Sequence, residues 1–344
     1  MRLFVSGGCG FVGSSLVRQA VSLGINIFNV DTRNTPQGAP QLEGSNNAKC
    51  YSQLIGDVTD SIMLSALLRE FKPHALIHCA GGIQQKKGTT TTQGATATIG
   101  VLDAVQSYFA NLTDEAKKEF RFIIPFDTSV FGSLDIHKAE FSGMHPINPQ
   151  TILGGRAALD IALIQGWANE THIPIIYAGA SALYGSWQQA EAYIPSTIRQ
   201  ALNHQSISIP RAQDTLDWLH IDDFANGLLQ TAIKGEQNKT YLFSARSERR
   251  NIDIANNVAT ILDGLLPTSQ GESYRTRLQE ENSLPPLRCA LDSTPAETKL
   301  GWHAKQNLLM GLRENVAWHL NQMPAAHKEK AANGGSPTSG LAAE

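Results

Sequence analysis

The chain has 344 residues, a formal net charge of −3, and 42% hydrophobic and 17% charged residues. A chain of this length buries a substantial core, so one large α/β unit or two closely joined parts is expected. The small net charge provides no basic field for nucleic acid or an anionic membrane, so small molecules and protein partners are the expected ligands. Glycines interrupt the apolar N-terminus and no long apolar run follows, which predicts neither a signal peptide nor a membrane span.

The cysteines bear on the cellular compartment. They are Cys9, Cys50, Cys79 and Cys289, and no two of them form a CxxC pair. This scatter fits four reduced thiols better than a zinc site or a disulfide framework. We therefore expect a cytoplasmic protein without a metal site.

Strands and helices alternate along the first half of the chain. The predicted strands are, in order, RLFVSG, INIFNVD, CYSQLIGD, HALIHCAG, RFIIPFDTS and IPIIYAGAS. SIMLSALLREF has apolar residues at spacings of three and four, which is typical of a helix. Because neighbouring parallel strands need such a crossover, the alternation predicts an α/β fold with a doubly wound parallel sheet, that is, a Rossmann-like fold.

The pattern changes after about residue 179, where prolines and polar segments interrupt it. LDWLHIDDFANGLLQTAI and TYLFSA are still recognisable as helix and strand material. We expect a dinucleotide-binding domain from residues 1–178 and 215–243 and a smaller substrate lobe from residues 179–214 and 244–320. Residues 321–344 lack periodicity and are predicted to form a disordered tail.

A glycine-rich turn joins the first strand to the first helix. In SGGCGFVGSSLV, Gly7, Gly10 and Gly13 are spaced as G-x-x-G-x-x-G. Glycines let the backbone turn tightly and approach a pyrophosphate, whose charge the N-terminus of a helix favours. A glycine-rich turn without a ligand is the alternative, but the strand before it and the helix after it favour binding. Phe11 and Val12 belong to the predicted cofactor site.

Acidic residues follow the next two strands. Asp31 ends the second strand, where a carboxylate accepts hydrogen bonds from an adenosine ribose and repels a 2′-phosphate, which favours NAD over NADP. Arg33 lies two residues later and weakens that preference. Asp57 and Val58 follow the third strand and are predicted to meet the adenine; for Asp57 the alternative is a helix N-cap.

Several segments of the chain resemble one known family. SGGCGFVGSSLV, NVD, GDVTD and IHCAGG resemble the extended short-chain dehydrogenase/reductase family, the NAD-dependent epimerases and dehydratases of nucleotide sugars. The resemblance continues through SALYGSWQQAEAYIPSTIRQAL, LDWLHIDDFANGLL and LDSTPAETKLGWHAKQNLLMGLRENVAWHL, and the 4,6-dehydratases are the nearest subfamily. It implies an NAD cofactor that Ala80 and Gly81 also contact, a small-molecule substrate and a homodimer.

The resemblance also indicates where the chemistry belongs. In that family a Ser or Thr polarises the substrate, and a Tyr-x-x-x-Lys supplies the acid/base phenol and the cation that lowers its pKa. FDTSVFG corresponds to the family's Ser-Ser-x-x-Val-Tyr-Gly, which places Asp127 on the Ser/Thr and Thr128 next to it. The family spacing from Gly132 then places Ile152 on the tyrosine and Arg156 on the lysine. The segment TILGGRAALD therefore resembles the catalytic helix without its tyrosine.

Other positions of the family pattern are altered as well. The supporting Asn falls near Gly94, and two substrate-binding Arg positions fall on Gly179 and Leu216. Only Arg288 keeps a plausible contact with a substrate diphosphate. Because an isoleucine cannot move a proton in place of a phenol, the ordinary family mechanism is predicted to be unavailable.

Two interpretations of the function stay open. In the first the protein is an enzyme with a non-standard site, in which Asp127 is the base, Thr128 a hydrogen-bond donor, and Arg156 holds the ribose or orients Asp127. An arginine beside Asp127 would lower the pKa of that carboxyl. Asp127 as a cap or as the partner of Arg156 in a structural ion pair is the alternative. In the second interpretation the protein is a non-catalytic NAD-binding pseudoenzyme that acts as a subunit, sensor or scaffold.

Two loops and one helix face complete the predictions. Lys86 and Lys87 lie in GGIQQKKGTTTTQ, for which a solvated loop is favoured over an anion site. His137 and His145 lie between the catalytic segments, and either is able to reach into the predicted catalytic site.

A homodimer is predicted through the helices starting near residues 93 and 152, with burial against the protein's own sheet as the alternative. The predicted contact stripe is Ala158, Ile161, Ala162, Gln165 and Ala168.

Overall fold

The computed structural model describes residues 1–34, 47–81, 93–135, 139–269, 271–281 and 284–324. Lys86, Lys87, His137 and the predicted tail from residue 325 onward lie outside the described residues. The chain divides into two compact units. The first consists of Met1–Leu183, Asp217–Arg246 and Cys289–Lys305, and the second of Tyr184–Leu216, Ser247–Arg288 and Gln306–Glu344.

The regular elements follow in chain order. The strands are β1 (Arg2–Ser6), β2 (Asn26–Asp31), β3 (Tyr51–Ile55), β4 (Ala75–His78), β5 (Arg121–Asp127), β6 (Ile175–Ala180), β7 (Ala182–Tyr184), β8 (Ile207–Pro210), β9 (Thr215–His220), β10 (Thr240–Phe243), β11 (Glu248–Arg250), β12 (Leu278–Glu281) and β13 (Arg288–Cys289). The α-helices are α1 (Phe11–Ser22), α2 (Ser61–Phe71), α3 (Gln93–Ala110), α4 (Asp114–Glu119), α5 (Ile152–Thr171), α6 (Tyr193–Leu202), α7 (Ile221–Lys234), α8 (Asn251–Leu265) and α9 (Leu308–Gln322).

A seven-stranded sheet forms the centre of the first unit, in the order β10-β6-β5-β4-β1-β2-β3. Each neighbouring pair is parallel. The predicted doubly wound parallel sheet is therefore confirmed. The strand order reverses between β1 and β4, and open sheets of this kind bind ligands outside the carboxyl ends of the strands at such a point.

Apolar spacing explains how the helices cover the sheet. In α1 the buried residues include Leu16, Val17, Ala20 and Val21, which lie on one face of the helix and pack in the same core as the strands. Caps fix where helices begin: the Asp60 side chain accepts the Met63 N–H at α2, and the Thr151 side chain accepts the Gly154 N–H at α5.

Two stretches differ from the sequence-based expectations. LDWLH, predicted as helix material, forms β9, and the helix begins only at Ile221. Cys289–Lys305, expected in the substrate lobe, belongs to the first unit. There the Trp302 ring packs edge-to-face on Phe243 with centroids 4.9 Å apart, and its Nε1 donates to the Asp223 carbonyl at 2.9 Å.

Part of the predicted dimer stripe on α5 lies on the buried face of the helix. Ala158 and Ile161 are buried within the first unit, as is Ile164, so this part of the predicted stripe packs against the protein's own domain. A different face of the helix is open to solvent, where Leu159 is 66% exposed. The periodicity of small and apolar residues did not distinguish the two faces, because both carry them.

The second unit is smaller. Its strands β8 and β12 pair in parallel, and an apolar cluster of Ile209, Ala212, Ile252 and Ala255 lies beside them. Helices α8 and α9 contact each other, and Trp187 packs on Trp318 of α9 with ring centroids 4.9 Å apart. Across both units, none of the helices in the described ranges has the length and apolar character that a membrane span requires.

Candidate dinucleotide-binding and catalytic site

The glycine loop lies at the carboxyl end of β1 and needs its glycines for space. Gly7 has φ +83°, and a methyl group there would lie 2.5 Å from the Ala80 backbone nitrogen. A methyl group on Gly13 would overlap the Gly7 carbonyl. Gly10 is the N-cap of α1 and contributes no side-chain cap, so the first N–H groups of the helix have no side-chain acceptor there. An open helix N-terminus beside a close-packed loop fits a pyrophosphate.

Asp31 braces this loop from the end of β2. The carboxylate is buried and accepts the Cys9 N–H at 2.8 Å and the Arg33 N–H at 3.0 Å. The Arg33 Nε lies 3.5 Å from the same carboxylate. Burial, with the charge of Asp31, raises the pKa of the Cys9 thiol to about 11. Asp31 therefore positions the loop, in addition to the ribose contact that the sequence predicts.

Sequence reasoning missed Asn29 in this arrangement. Its Oδ1 accepts the Gly8 N–H at 2.8 Å, and its Nδ2 donates to the Tyr51 hydroxyl at 3.1 Å. The signal was available, because a polar side chain in the apolar strand INIFNVD needs a buried partner. Asn29 and Asp31 thus hold two consecutive N–H groups of the loop.

Six further predicted cofactor residues follow β3 and β4 or lie in the first turn of α1. Asp57 is exposed and accepts the Thr59 N–H at 2.9 Å. The alternative that Asp57 is the N-cap of α2 is wrong, since Asp60 is that cap. Val58 is buried, and Gly81 has φ +89° directly after the half-buried Ala80. Phe11 and Val12 occupy the first turn of α1 and are half-buried.

Asp127 ends β5 at the same edge of the sheet. One carboxylate oxygen accepts the Ser129 N–H at 2.8 Å and caps the 3₁₀ turn Thr128–Phe131. Burial raises the pKa of Asp127, and the hydrogen bond from Ser129 opposes that shift. The expectation that Arg156 lowers this pKa is therefore wrong, while the alternative of Asp127 as a local cap is correct.

The hydrogen bonds of Thr128 differ from those that its predicted role requires. Its side chain is fully buried, and its hydroxyl donates to the Ala180 carbonyl at 3.2 Å, with the Cys289 sulfur 3.5 Å away. A hydroxyl has only one proton to donate. The structure therefore uses Thr128 to join β5 to β6, and the prediction of a donor to substrate is not supported by this geometry.

Arg156 has an acidic neighbour other than the predicted one. Burial raises the pKa of Asp160 to about 6, and a hydrogen bond from Thr98 and the positive charge of Arg156 oppose that shift. Asp160 lies one helical turn beyond Arg156 on α5. The charge of Arg156 therefore acts on the pKa of Asp160 in its own helix rather than on the pKa of Asp127.

Three buried polar side chains, Ser6, His78 and Thr98, form a hydrogen-bonded series that sequence reasoning missed. The Ser6 hydroxyl lies 2.7 Å from Nδ1 of His78, and Nε2 of His78 lies 3.3 Å from the Thr98 hydroxyl. All three side chains are buried, and burial lowers the pKa of His78 to about 4, so the ring is neutral. A histidine inside the apolar run HALIHCAG was the available signal.

The helix that carries Arg156 contains neither tyrosine nor lysine. Ile152 is its first residue, and 83% of its side chain is exposed. Gly154 packs against the Ser129 carbonyl, which sets the start of α5 against the turn after β5. His145 contacts the rings of Phe131 and Phe141, so this histidine packs within its own loop.

Arg288, the predicted substrate-binding residue, and Gly179, which stands where the family has an arginine, both have structural neighbours. Arg288 forms a two-point ion pair with Glu248, at 2.9 Å from Nε and 3.1 Å from Nη2. A methyl group on Gly179 would lie 2.6 Å from the Phe126 ring, so no larger side chain fits there.

The chain is similar to a known protein family and to individual members of it. The model of the NAD dependent epimerase/dehydratase family matches residues 3–242. A probable dTDP-glucose 4,6-dehydratase from Sinorhizobium fredii is 28% identical over 326 residues, covering 93% of each chain. The dTDP-glucose 4,6-dehydratase from Shigella flexneri is 26% identical over 338 residues, again 93% of each chain.

Solved structures show the same fold. The dTDP-glucose 4,6-dehydratase from Bacillus anthracis, in complex with NAD, superposes with a TM-score of 0.75 at 19% identity, covering 94% of this chain and 97% of that one. The UDP-glucose 4-epimerase from Thermotoga maritima, with UDP-glucose, gives 0.72 at 17% identity, covering 93% and 99%. On the family match, the chain belongs to the NAD dependent epimerase/dehydratase family.

Proposed function

We propose that the protein binds NAD at the glycine loop and acts on a nucleotide sugar or a related small molecule through a non-standard site. The open N-terminus of α1 and the close backbone packing that only glycine allows at Gly7 and Gly13 support binding of the pyrophosphate. Asp31 stands where the adenosine ribose belongs in such folds. Bound NAD would supply the hydride acceptor, and the chain supplies orientation and proton transfer.

Asp127 carries the catalytic part of the proposal. It lies at the end of β5, on the edge of the sheet where the glycine loop lies, and burial raises its pKa. A carboxylate with a raised pKa is a stronger base than an ordinary one, which suits removal of a proton from a substrate hydroxyl. The backbone hydrogen bond from Ser129 fixes its position. In this role Asp127 takes over what the family's tyrosine does.

Arg156 and Arg288 have supporting roles in the proposal. An arginine cannot act as a base at neutral pH, so Arg156 holds a ribose or an anionic group, with Asp160 orienting it. In the second unit, Arg288 would exchange Glu248 for the substrate diphosphate. Arg288→Met is then expected to raise KM and leave kcat nearly unchanged, because a contact with the diphosphate is the same in the bound substrate and in the transition state.

A second candidate function is a non-catalytic NAD-binding subunit, sensor or scaffold. The engaged hydroxyl of Thr128 and the exposed Ile152 favour it, because neither supplies a group that moves protons. The cofactor loop is unaffected by this alternative. The two candidates therefore agree on NAD and differ on turnover.

One experiment separates the two. The purified protein is denatured and the released NAD and NADH are quantified; intact protein is then mixed with nucleotide sugars, and bound NADH is followed by its fluorescence. Reduction of bound NAD that Asp127→Asn abolishes while NAD affinity is kept supports the enzyme. Bound NAD that no sugar reduces supports the binding protein. Protein that neither contains nor binds NAD contradicts both.

We also propose a homodimer through α3 and α5. On α5 the solvent-facing side presents Gly155, Leu159, Ala162 and Gly166, at successive spacings of four, three and four. A methyl group on either glycine would meet nothing within 4 Å, so a second helix has room to approach. Light scattering at micromolar concentration is expected to report a dimer, and Leu159→Glu a monomer. A native monomer would remove the proposal.

A further inference from the structure

A cavity of about 410 Å³ opens at the amino edge of the seven-stranded sheet. Three of its lining residues mark that edge: Arg2 begins β1, His74 directly precedes β4, and Phe120 directly precedes β5. The glycine loop and Asp127, in contrast, follow the carboxyl ends of their strands. Because the sheet is parallel, the two edges are opposite each other, and this cavity is separate from the candidate cofactor site.

The floor of the cavity is aromatic and held in place. Tyr108 and Phe120 are both buried and pack edge-to-face, with ring centroids 5.4 Å apart. The Tyr108 hydroxyl donates to the Pro73 carbonyl at 3.3 Å, and burial raises its pKa, so the phenol stays neutral. Leu112 and Ala116 also line the cavity. Because the two rings are almost fully buried, the half-buried Leu112 and Ala116 are the residues that offer apolar surface to the carbon skeleton of a ligand.

The wall of the cavity is cationic. Arg2, Arg69 and Lys72 line it, against the single carboxylate of Glu119. The Arg2 Nε donates to the Lys72 carbonyl at 2.8 Å, which fixes the guanidinium at the wall. Within the part of the chain that the structure describes, the charged groups of Arg69 and Lys72 have no hydrogen bond or ion pair. Three cations and one carboxylate among the lining residues leave an excess of positive charge.

His74 adds a donor without adding charge. Its Nδ1 accepts the Arg2 backbone N–H at 2.9 Å, so the proton of the neutral ring is on Nε2. Burial and the charge of Arg2 lower the pKa of His74. At neutral pH the cavity therefore presents three cations and a neutral imidazole N–H donor.

We propose that this cavity is a second ligand site that binds an organic phosphate. Guanidinium groups match phosphate oxygens in two-point contacts, and Lys72 adds a point charge. The carbon skeleton of the ligand lies on Leu112 and Ala116, above the buried rings of Tyr108 and Phe120. The cavity volume is within the range of small-molecule sites. This site does not depend on the proposed catalytic function.

Calorimetry on the protein loaded with NAD and then freed of excess NAD by gel filtration tests the proposal, because the bound NAD blocks the other phosphate-binding loop and no free NAD remains to occupy the cavity. Phenyl phosphate is the probe, since it carries both a phosphate and a ring, and inorganic phosphate tests the anion alone. The double variant Arg69→Glu with Lys72→Glu is compared with Arg199→Glu with Lys239→Glu. The control pair is also exposed and changes the net charge equally.

Phenyl phosphate is expected to bind the native protein and the control pair equally, and the Arg69/Lys72 pair at least about tenfold more weakly, because each lost charge-assisted contact contributes about that factor. Inorganic phosphate is expected to bind more weakly than phenyl phosphate. No binding of phenyl phosphate, or equal loss in both pairs, would overturn the site. Phosphate binding as tightly as phenyl phosphate would show an adventitious ion only. Thermal unfolding verifies that each variant is folded, and Lys72→Met gives a milder test of the same loss.

Discussion

Replacement of Asp31 tests both roles of this carboxylate, the bracing of the loop and the binding of ribose. In Asp31→Ala the N–H groups of Cys9 and Arg33 lose an acceptor at 2.8 and 3.0 Å. A hydrogen bond to a charged group contributes about 1.5–3 kcal/mol, and Cys9 is fully buried, so water does not replace its acceptor. We expect the free energy of unfolding to fall by about 2–4 kcal/mol, a large part of the usual 5–15 kcal/mol.

The same variant is expected to bind NAD about 10- to 100-fold more weakly, because the ribose loses charge-assisted hydrogen bonds worth about 1–3 kcal/mol. Asp31→Asn keeps one acceptor oxygen and is expected to lie between the native protein and Asp31→Ala in both measurements. Urea unfolding gives the first quantity, and calorimetry with NAD and NADP gives the second. Asp103→Asn, an exposed change on α3, is the control. Unchanged NAD affinity in Asp31→Ala, or tighter NADP than NAD in the native protein, would refute the reasoning.

Three further predictions concern the hydrogen-bonded series of Ser6, His78 and Thr98, the buried Trp302 and the reaction with dTDP-glucose. The pKa of His78 falls from 6.5 to about 4 on folding, so the unfolded state binds more protons between these values and stability is lost as the pH falls from about 6.5 to about 4. His78→Gln is expected to weaken the dependence of the free energy of unfolding on pH in this range, measured by urea unfolding at a series of pH values. An unchanged pH dependence would show that groups other than His78 cause it. Trp302→Phe removes the donor to the Asp223 carbonyl and is expected to cost about 1–3 kcal/mol in urea unfolding, and a cost below about 0.5 kcal/mol would contradict that contact. With Ile152 in place of a phenol, dTDP-glucose is expected to remain unchanged by chromatography after incubation with the protein; robust 4,6-dehydration would contradict the assignment of Ile152 and Arg156 to the family's tyrosine and lysine.

Local pattern was enough to predict the fold. Short apolar runs and helical spacing alternate over the first half of the chain, and parallel strands require a crossover of this kind, so the sheet follows from the sequence. The glycine spacing and Asp31 were equally readable, because backbone clearance and a strand-end carboxylate are local requirements. The start of α7 could not be predicted in the same way. LDWLH suits either a strand or a buried turn of helix, and the segments that pack against it determine which of the two forms.

Partners of side chains were decided by the tertiary structure. The family resemblance places Arg156 near Asp127, but the charge of Arg156 acts on the pKa of Asp160, and burial raises the pKa of Asp127 instead of a cation lowering it. Thr128 was read as a donor, yet packing of β5 against β6 directs its hydroxyl to Ala180. The sequence determines which residue types stand at each strand end. Hydrogen-bond partners and desolvation depend on distances between segments far apart in the chain, and only the folded protein sets those distances.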